Sequence, residues 1–242
     1  MSRREDIASA LRSVRDRLDA ACRAAGRDPA AVAMLPVTKF FPVSDVHILY
    51  ELGCREFGES REPEASTKVA EFRTTGASPD EVRWHMIGRL QRNKVKSVVR
   101  WADVVHSADS SRLVDTLDAA VADSIEAGGR TRRLDVLLQV SLDADPARGG
   151  VPVAELAALA DRVESAPSLN FRGLMAVPPL DSDPARAFEQ LAAVHADLLR
   201  THPRATELSA GMTGDLEAAV AHGSTCVRVG TALLGSRPIA SK

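Results

Sequence analysis

The chain opens on one long amphipathic segment. From about residue 4 to 25, Ile7, Leu11, Val14 and Leu18 recur at three- and four-residue intervals with polar residues between them, the period of a helix with one apolar face. Gly26 suits the left-handed position that closes many helices, and Asp28-Pro29 turns the chain away. The pattern predicts a helix packed on a larger body.

After Pro29 the pattern alternates. Short apolar runs occur at 32–39, 55–58, 83–88, 104–108, 134–141, 171–177, 207–210 and 226–230. Helical stretches separate them at 44–52, 91–101, 110–127, 153–165, 183–200 and 215–221, with a weaker one at 62–72. Strands alternating with helices imply parallel pairing, because each crossover returns the chain to the same edge. Runs such as Leu134-Asp135-Val136-Leu137-Leu138 suit a sheet covered on both faces. Eight such units predict an α/β fold, a single (β/α)8 TIM barrel spanning residues 1–242 as one domain, with residues 1–26 as an extra N-terminal helix. An open doubly wound sheet would carry a glycine-rich turn after its first strand, and Thr38-Lys39-Phe40-Phe41-Pro42 is not one. The stretch 74–79 reads as a polar loop, and no linker divides the chain.

Composition agrees with a globular protein, 45% hydrophobic and 26% charged. A formal net charge of −2 gives no long-range attraction to nucleic acid or to an anionic membrane. The basic residues Arg89, Arg92, Lys94, Lys96 and Arg100 read as a solvated face. Cys22, Cys54 and Cys226 are scattered, the N-terminus lacks the apolar core of a signal peptide, and no apolar run has membrane-spanning length. A soluble cytoplasmic protein is expected. The histidines form no metal-binding spacing and no G-x-S-x-G elbow appears.

In this architecture chemistry gathers at the C-terminal ends of the strands. Lys39 ends the first; a lysine desolvated there would lose basicity and become a nucleophile toward aldehydes, although strand-end lysines commonly just reach solvent. The seventh strand ends in Ser209-Ala210-Gly211-Met212-Thr213-Gly214-Asp215 and the eighth in Gly230-Thr231, small residues and hydroxyls where such barrels bind phosphate. Ordinary capping, with Thr213 as the helix N-cap, is the alternative, and phosphate binding is the favoured expectation. Arg228 lies within an apolar strand and needs a partner, either a carboxylate or a ligand atom.

These residues resemble a known family, the pyridoxal phosphate homeostasis (YggS-like) proteins. The resemblance runs along nearly the whole chain through Val37-Thr38-Lys39, Phe57-Gly58-Glu59, Trp84-His85-Met86-Ile87-Gly88 and Leu90-Gln91-Arg92-Asn93-Lys94. It continues through Gly173-Leu174-Met175-Ala176, Leu208-Ser209-Ala210-Gly211-Met212 and Val227-Arg228-Val229-Gly230-Thr231. It implies a barrel like the N-terminal domain of alanine racemase, carrying pyridoxal 5′-phosphate as a Schiff base on Lys39. Ser209, Met212, Gly230 and Thr231 would line the cofactor's site, its phosphate on Ser209, Gly230 and Thr231, and Arg228 would face the pyridine nitrogen. A cation there disfavours ring protonation and makes the cofactor a poorer electron sink. The sequence departs from the family where Ser60 stands for the usual asparagine and Arg148 for a lysine.

The resemblance leaves three readings. An amino-acid racemase of the alanine racemase type needs an acid–base group on each face of the α-carbon, and the one tyrosine, Tyr50, sits in a predicted crossover helix. A non-catalytic carrier that holds the cofactor reversibly, and passes it to pyridoxal phosphate-dependent apoenzymes, needs no such group. A phosphosugar aldolase using Lys39 would need His85 as its acid–base residue. The carrier is the favoured expectation.

Overall fold

Ser2 starts the first helix by a reciprocal cap: its hydroxyl accepts from Glu5 N, and the Glu5 carboxylate accepts from Ser2 N at 2.7 Å. The structure, a computed structural model, describes residues 2–75, 81–143, 145, 148–179 and 182–236. Helix α1 (Arg3–Ala24) buries Ile7, Leu11, Val14, Leu18 and Cys22 along one face, and Gly26 follows it at a φ of +66°. The expected polar loop at 74–79 lies mostly outside the described residues.

The strands are β1 (Ala33–Pro36), β2 (Glu56–Glu59), β3 (Arg83–Met86), β4 (Val104–Ala108), β5 (Leu134–Ser141), β6 (Val151–Pro152), β7 (Leu169–Met175), β8 (Glu207–Ser209) and β9 (Cys226–Val229). All pair in parallel in the order β1-β9-β8-β7-β5-β4-β3-β2, while the two-residue β6 hangs on β5 outside the ring. A bridge between Val37 and Gly58 joins the two ends, and Thr38 N donates to Gly58 O at 3.0 Å. Eight parallel strands thus form a nearly closed barrel, as the alternation predicts. Around it lie α2 (Val43–Glu51), α3 (Glu64–Arg73), α4 (Val95–Val98), α5 (Ser111–Glu126), α6 (Val153–Glu164), α7 (Pro184–Thr201), α8 (Leu216–Ala221) and α9 (Thr231–Leu234).

Three differences from the sequence pattern have physical causes. The helix expected at 91–101 is a 3-10 turn, Arg92–Lys94, followed by the single turn α4, whose valines have weak helix propensity. The first strand ends at Pro36, whose missing N–H withholds one bond, although Val37 N still donates to Val229 O at 2.9 Å and Thr38 N to Gly58 O beyond it. The elements β6 and α9 are too short to show a period.

Side chains alternate across each strand, and the two faces differ in chemistry. Outward residues such as Trp84, Val105, Leu138, Leu208, Val227 and Val229 pack with α1 and the other helices in one continuous core. Val104, Leu137 and Met175 form a separate small cluster inside the ring. Met175 reaches it through an irregularity: β5–β7 pairing steps from Val136↔Phe171 to Leu137↔Gly173, which shifts the alternation by one residue. Phe171 and Leu174 therefore face the helices while Met175 turns inward.

Gly173, at φ +149°, makes this step possible, because a Cβ there would stand 1.9 Å from Glu207 O on β8. Gly173→Ala should force β7 and β8 apart and cost about 3 kcal/mol, a loss from backbone collision rather than from a missing contact. Chemical denaturation of the variant measures it.

Candidate functional site

The chain around Lys39 is held on both sides. On one side Thr38 is buried, and its hydroxyl donates to Glu59 Oε1 at 2.6 Å. Lys68, reaching in from α3, donates to the same carboxylate oxygen and to Thr38 O, both at 2.8 Å. Burial pushes the Glu59 carboxyl up, and the Lys68 ammonium with the two hydrogen bonds pulls it back. On the other side Phe40 takes a φ of +69°, and its N–H donates to Glu64 Oε1 at 2.9 Å. A bulky side chain in that region costs on the order of 1–3 kcal/mol, and such strain collects at functional sites. Lys39 is half-buried, its ammonium 5.9 Å from the centre of the Phe40 ring.

Lys39 opens into a cavity of about 360 Å³ at the C-terminal mouth of the barrel. Met212, Arg228, Gly230 and Thr231, all expected in the site, line it with Lys39. Sequence reasoning did not place Phe40, Ile87 or Val177 there; it put Gly214 in the phosphate-type loop, and it left Thr213 between phosphate contact and helix cap. Thr213 is not the cap: Asp215 precedes α8 and accepts from Met212 N at 2.6 Å, while Thr213 lines the cavity. Ser60 and Gly88 form one wall in close contact; a Cβ on Gly88 would stand 2.2 Å from Ser60 O. Gly214 has open space where its Cβ would be, and a Cβ on Gly230 would meet Val37 O at 3.4 Å. The shape, the lysine and the glycine-edged rim suit a small phosphorylated ligand.

Arg228 is buried, with 5% of its surface exposed, yet it lines the cavity. Its Nη1 donates to Ser209 O and Ser209 Oγ, both at 2.7 Å, and its Nη2 to Ala176 O at 2.9 Å. No carboxylate pairs with it among the described residues, so the carboxylate alternative is corrected: two carbonyls and a hydroxyl hold it. Burial lowers its pKa from the usual guanidinium value. The role expected of Ser209 is corrected too. Ser209 is fully buried beneath the cavity rather than lining it, and its hydroxyl is engaged by Arg228 and by His106 Nδ1 at 3.0 Å.

The comparisons with known proteins decide the family. Residues 11–238 match the alanine racemase N-terminal domain family. The pyridoxal phosphate homeostasis protein of Mycobacterium leprae is 53% identical over 241 residues, 96% of this chain and 93% of its own. That of Escherichia coli is 37% identical over 240 residues, 98% and 99% of the two chains. The chain belongs to the pyridoxal phosphate homeostasis protein family, on the alanine racemase N-terminal domain fold. Among solved structures, PipY of Synechococcus elongatus with pyridoxal phosphate bound superposes with a TM-score of 0.80 at 34% identity, covering 95% of this chain and all of PipY. Alanine racemase of Clostridium difficile shares the fold with a TM-score of 0.69 at 12% identity, and this chain spans 58% of it.

Within this homeostasis-protein fold, the acid–base residues weighed for catalysis lie elsewhere. Tyr50 sits on α2, its hydroxyl donating to Glu81 Oε2 at 2.6 Å and its ring against Phe72 and the Arg55 guanidinium. His85 is buried in the barrel, its Nδ1 2.9 Å from His106 Nε2, and it does not line the cavity. Among the described residues no group of three or more histidines, cysteines or carboxylates could hold a metal ion.

Burial holds both histidines neutral, lowering the pKa of His85 to about 3 and that of His106 well below its ordinary value. In the unfolded chain each titrates near 6.5. The unfolded state therefore binds more protons below that pH, and the stability due to neutral burial is complete above about pH 6.5 and declines as pH falls toward 3. Each histidine contributes a limiting slope of ~1.4 kcal/mol per pH unit. Urea melts between about pH 7 and 5.5 should show stability falling, and His85→Gln/His106→Gln should flatten the decline; a flat wild-type response would contradict neutral burial.

Proposed function

We propose that this protein binds pyridoxal 5′-phosphate in the cavity between Lys39 and Arg228 and holds it reversibly through Lys39, serving intracellular homeostasis of the cofactor rather than catalysis. The observation that carries this reading is the shared cavity: a lysine on a clamped backbone, a buried arginine with no carboxylate partner among the described residues, and the Gly230-Thr231 turn all open onto one space. The bound structure of PipY and the names of the relatives support it.

Each residue has a role. The Lys39 amine condenses with the cofactor's aldehyde to form a C=N bond, releasing water, and hydrolysis returns both partners. Gly230 and Thr231, with Thr213 beside them, take the phosphate. Arg228 presents its remaining N–H capacity to the pyridine nitrogen, and the cation opposes protonation there. The bound group supplies an electron-withdrawing ring, which an unprotonated nitrogen weakens. Met212, 39% exposed, stands at the rim, where cofactor and solvent exchange. The work is cytoplasmic, and the recipients are apoenzymes that use the cofactor; among the described residues no helix is long and apolar enough to cross a membrane.

The racemase reading has no support in the site, because Tyr50 faces away from the cavity and no second acid–base side chain reaches Lys39's neighbourhood among the described lining residues. The aldolase reading fails on the same ground, since His85 is enclosed.

Purified protein titrated with pyridoxal phosphate should develop a near-visible absorption band, and Lys39→Ala should abolish it while leaving the fold intact. An unchanged band in that variant would end the covalent assignment. Incubation of the loaded protein with single L-amino acids, followed by chiral chromatography, should show no turnover near the ~1 s⁻¹ or more of ordinary enzymes. Racemisation at such rates would overturn the carrier reading.

A further inference from the structure

The interior of the barrel holds a polar column that the reading above leaves unexplained. Parallel barrels normally fill this space with branched aliphatic side chains. Here Val104, Leu137 and Met175 fill only part of it. Beside them run Arg228, Ser209, His106 and His85, from β9, β8, β4 and β3, all buried. The contacts are continuous: Arg228 Nη1 to Ser209 Oγ at 2.7 Å, Ser209 Oγ to His106 Nδ1 at 3.0 Å, and His106 Nε2 to His85 Nδ1 at 2.9 Å. The column ends at His85 Nε2, which is buried without a hydrogen-bond partner among the described residues and faces Glu56 Oε2 at 3.8 Å, beyond bonding distance.

We propose that His106 and His85 are positioning residues for the cofactor site: a neutral two-histidine relay, oriented by Glu56, that fixes the Ser209 hydroxyl and through it the guanidinium of Arg228. This rests on the cofactor reading above. The proton positions follow from the donor inventory. An ionised Glu56 carboxylate favours a proton on the His85 nitrogen that faces it, Nε2. The neutral ring is then bare at Nδ1 and accepts from His106 Nε2–H. His106 is bare at Nδ1 in turn and accepts the Ser209 hydroxyl proton. That leaves the Ser209 oxygen lone pairs for Arg228, which can only donate. Every bond runs in one direction, from the arginine toward Glu56, and reversing any of them places two protons or two lone pairs face to face.

The consequence is orientation without countercharge. A carboxylate in the place of Ser209 would hold Arg228 more strongly but would neutralise it. A neutral relay fixes the guanidinium and leaves its charge directed at the cavity. It also explains why the interior tolerates His106, both of whose ring nitrogens are met, by Ser209 Oγ and by His85 Nδ1.

Two measurements test this. Histidine nitrogen NMR on the wild-type protein should report His85 and His106 as neutral Nε2–H tautomers, still uncharged at about pH 5.5, well below where exposed histidines titrate. A proton on Nδ1 of either ring, or an ordinary titration, would overturn the relay. In the second, pyridoxal phosphate binding is followed by absorbance in His106→Phe and His106→Asn. Phenylalanine keeps the bulk and leaves the Ser209 hydroxyl without its acceptor; the affinity should fall roughly tenfold or more, with a shifted absorption maximum. Asparagine places a polar atom near the lost Nδ1 and should recover much of the affinity and the wild-type spectrum. Wild-type affinity and spectrum in His106→Phe would show that the histidines only fill space. A wild-type protein that takes up no pyridoxal phosphate would instead refute the cofactor reading and this inference with it, a failure distinguished from the other by the missing wild-type band.

Discussion

The guanidinium of Arg228 has to be accommodated inside a ring of parallel strands that offers it no carboxylate among the described residues. Burying a charge without a counterion costs several kcal/mol unless its donors are met, so the strands around β9 must turn acceptors toward it. Ala176 and Ser209 provide carbonyls at the ends of β7 and β8, and Ser209 adds its hydroxyl. Three neighbouring strand ends are therefore tied to one side chain. Their position fixes the loops that follow, including the segment Met212, Thr213 and Gly214 that forms one edge of the cavity.

The demand spreads through side-chain parity. For Arg228 to point inward, Val227 and Val229 must point outward, and they pack against the helices. Ser209 must face inward opposite it, and so must His106 and His85 on their strands. Strand β7 could not follow a strict alternation and still fit, because Phe171 and Met175 would then share a face. The step at Gly173 resolves this by turning Met175 into the interior. Gly173 and Arg228 are thus parts of one solution: the first sets the apolar half of the barrel's interior, and the second organises the polar half.

Much of this was legible in the sequence and some was not. The eight-fold alternation is a long-range period, and it survives small errors in each boundary. The convergence of Lys39, Arg228, Gly230 and Thr231 was legible because parallel strands put their C-terminal ends in one place, whatever the side chains do. The partner of Arg228 was not, because a carbonyl is present at every position and no residue type announces which one will be used. Ser209 misled for a related reason: a hydroxyl at a strand end reads as solvent- or ligand-facing, and only the register with Cys226 and Met175 shows it to be enclosed. The strain at Phe40 carries no sequence signal, since nothing in the residue type requires a positive φ. The His85–His106 contact joins positions 21 residues apart on adjacent strands, and each histidine alone looks like an ordinary strand residue.

The site is stiffer at its two attachment points than holding a small molecule in a pocket requires. Thr38, Glu59 and Lys68 form a buried, charge-compensated clamp on one flank of Lys39, and the strained Phe40 backbone fixes the other. On the proposed reading, a backbone fixed on both flanks of Lys39 would spare part of the ordering that bond formation with an aldehyde requires, and the open mouth would let water reverse it. Catalysis on the same group would need an acid–base side chain beside the amine, and neither Tyr50 nor His85 is among the described residues that line the cavity. On the same reading, a fixed backbone around Lys39 and a fixed cation at Arg228 suit capture and release, because both would stabilise a resting linkage.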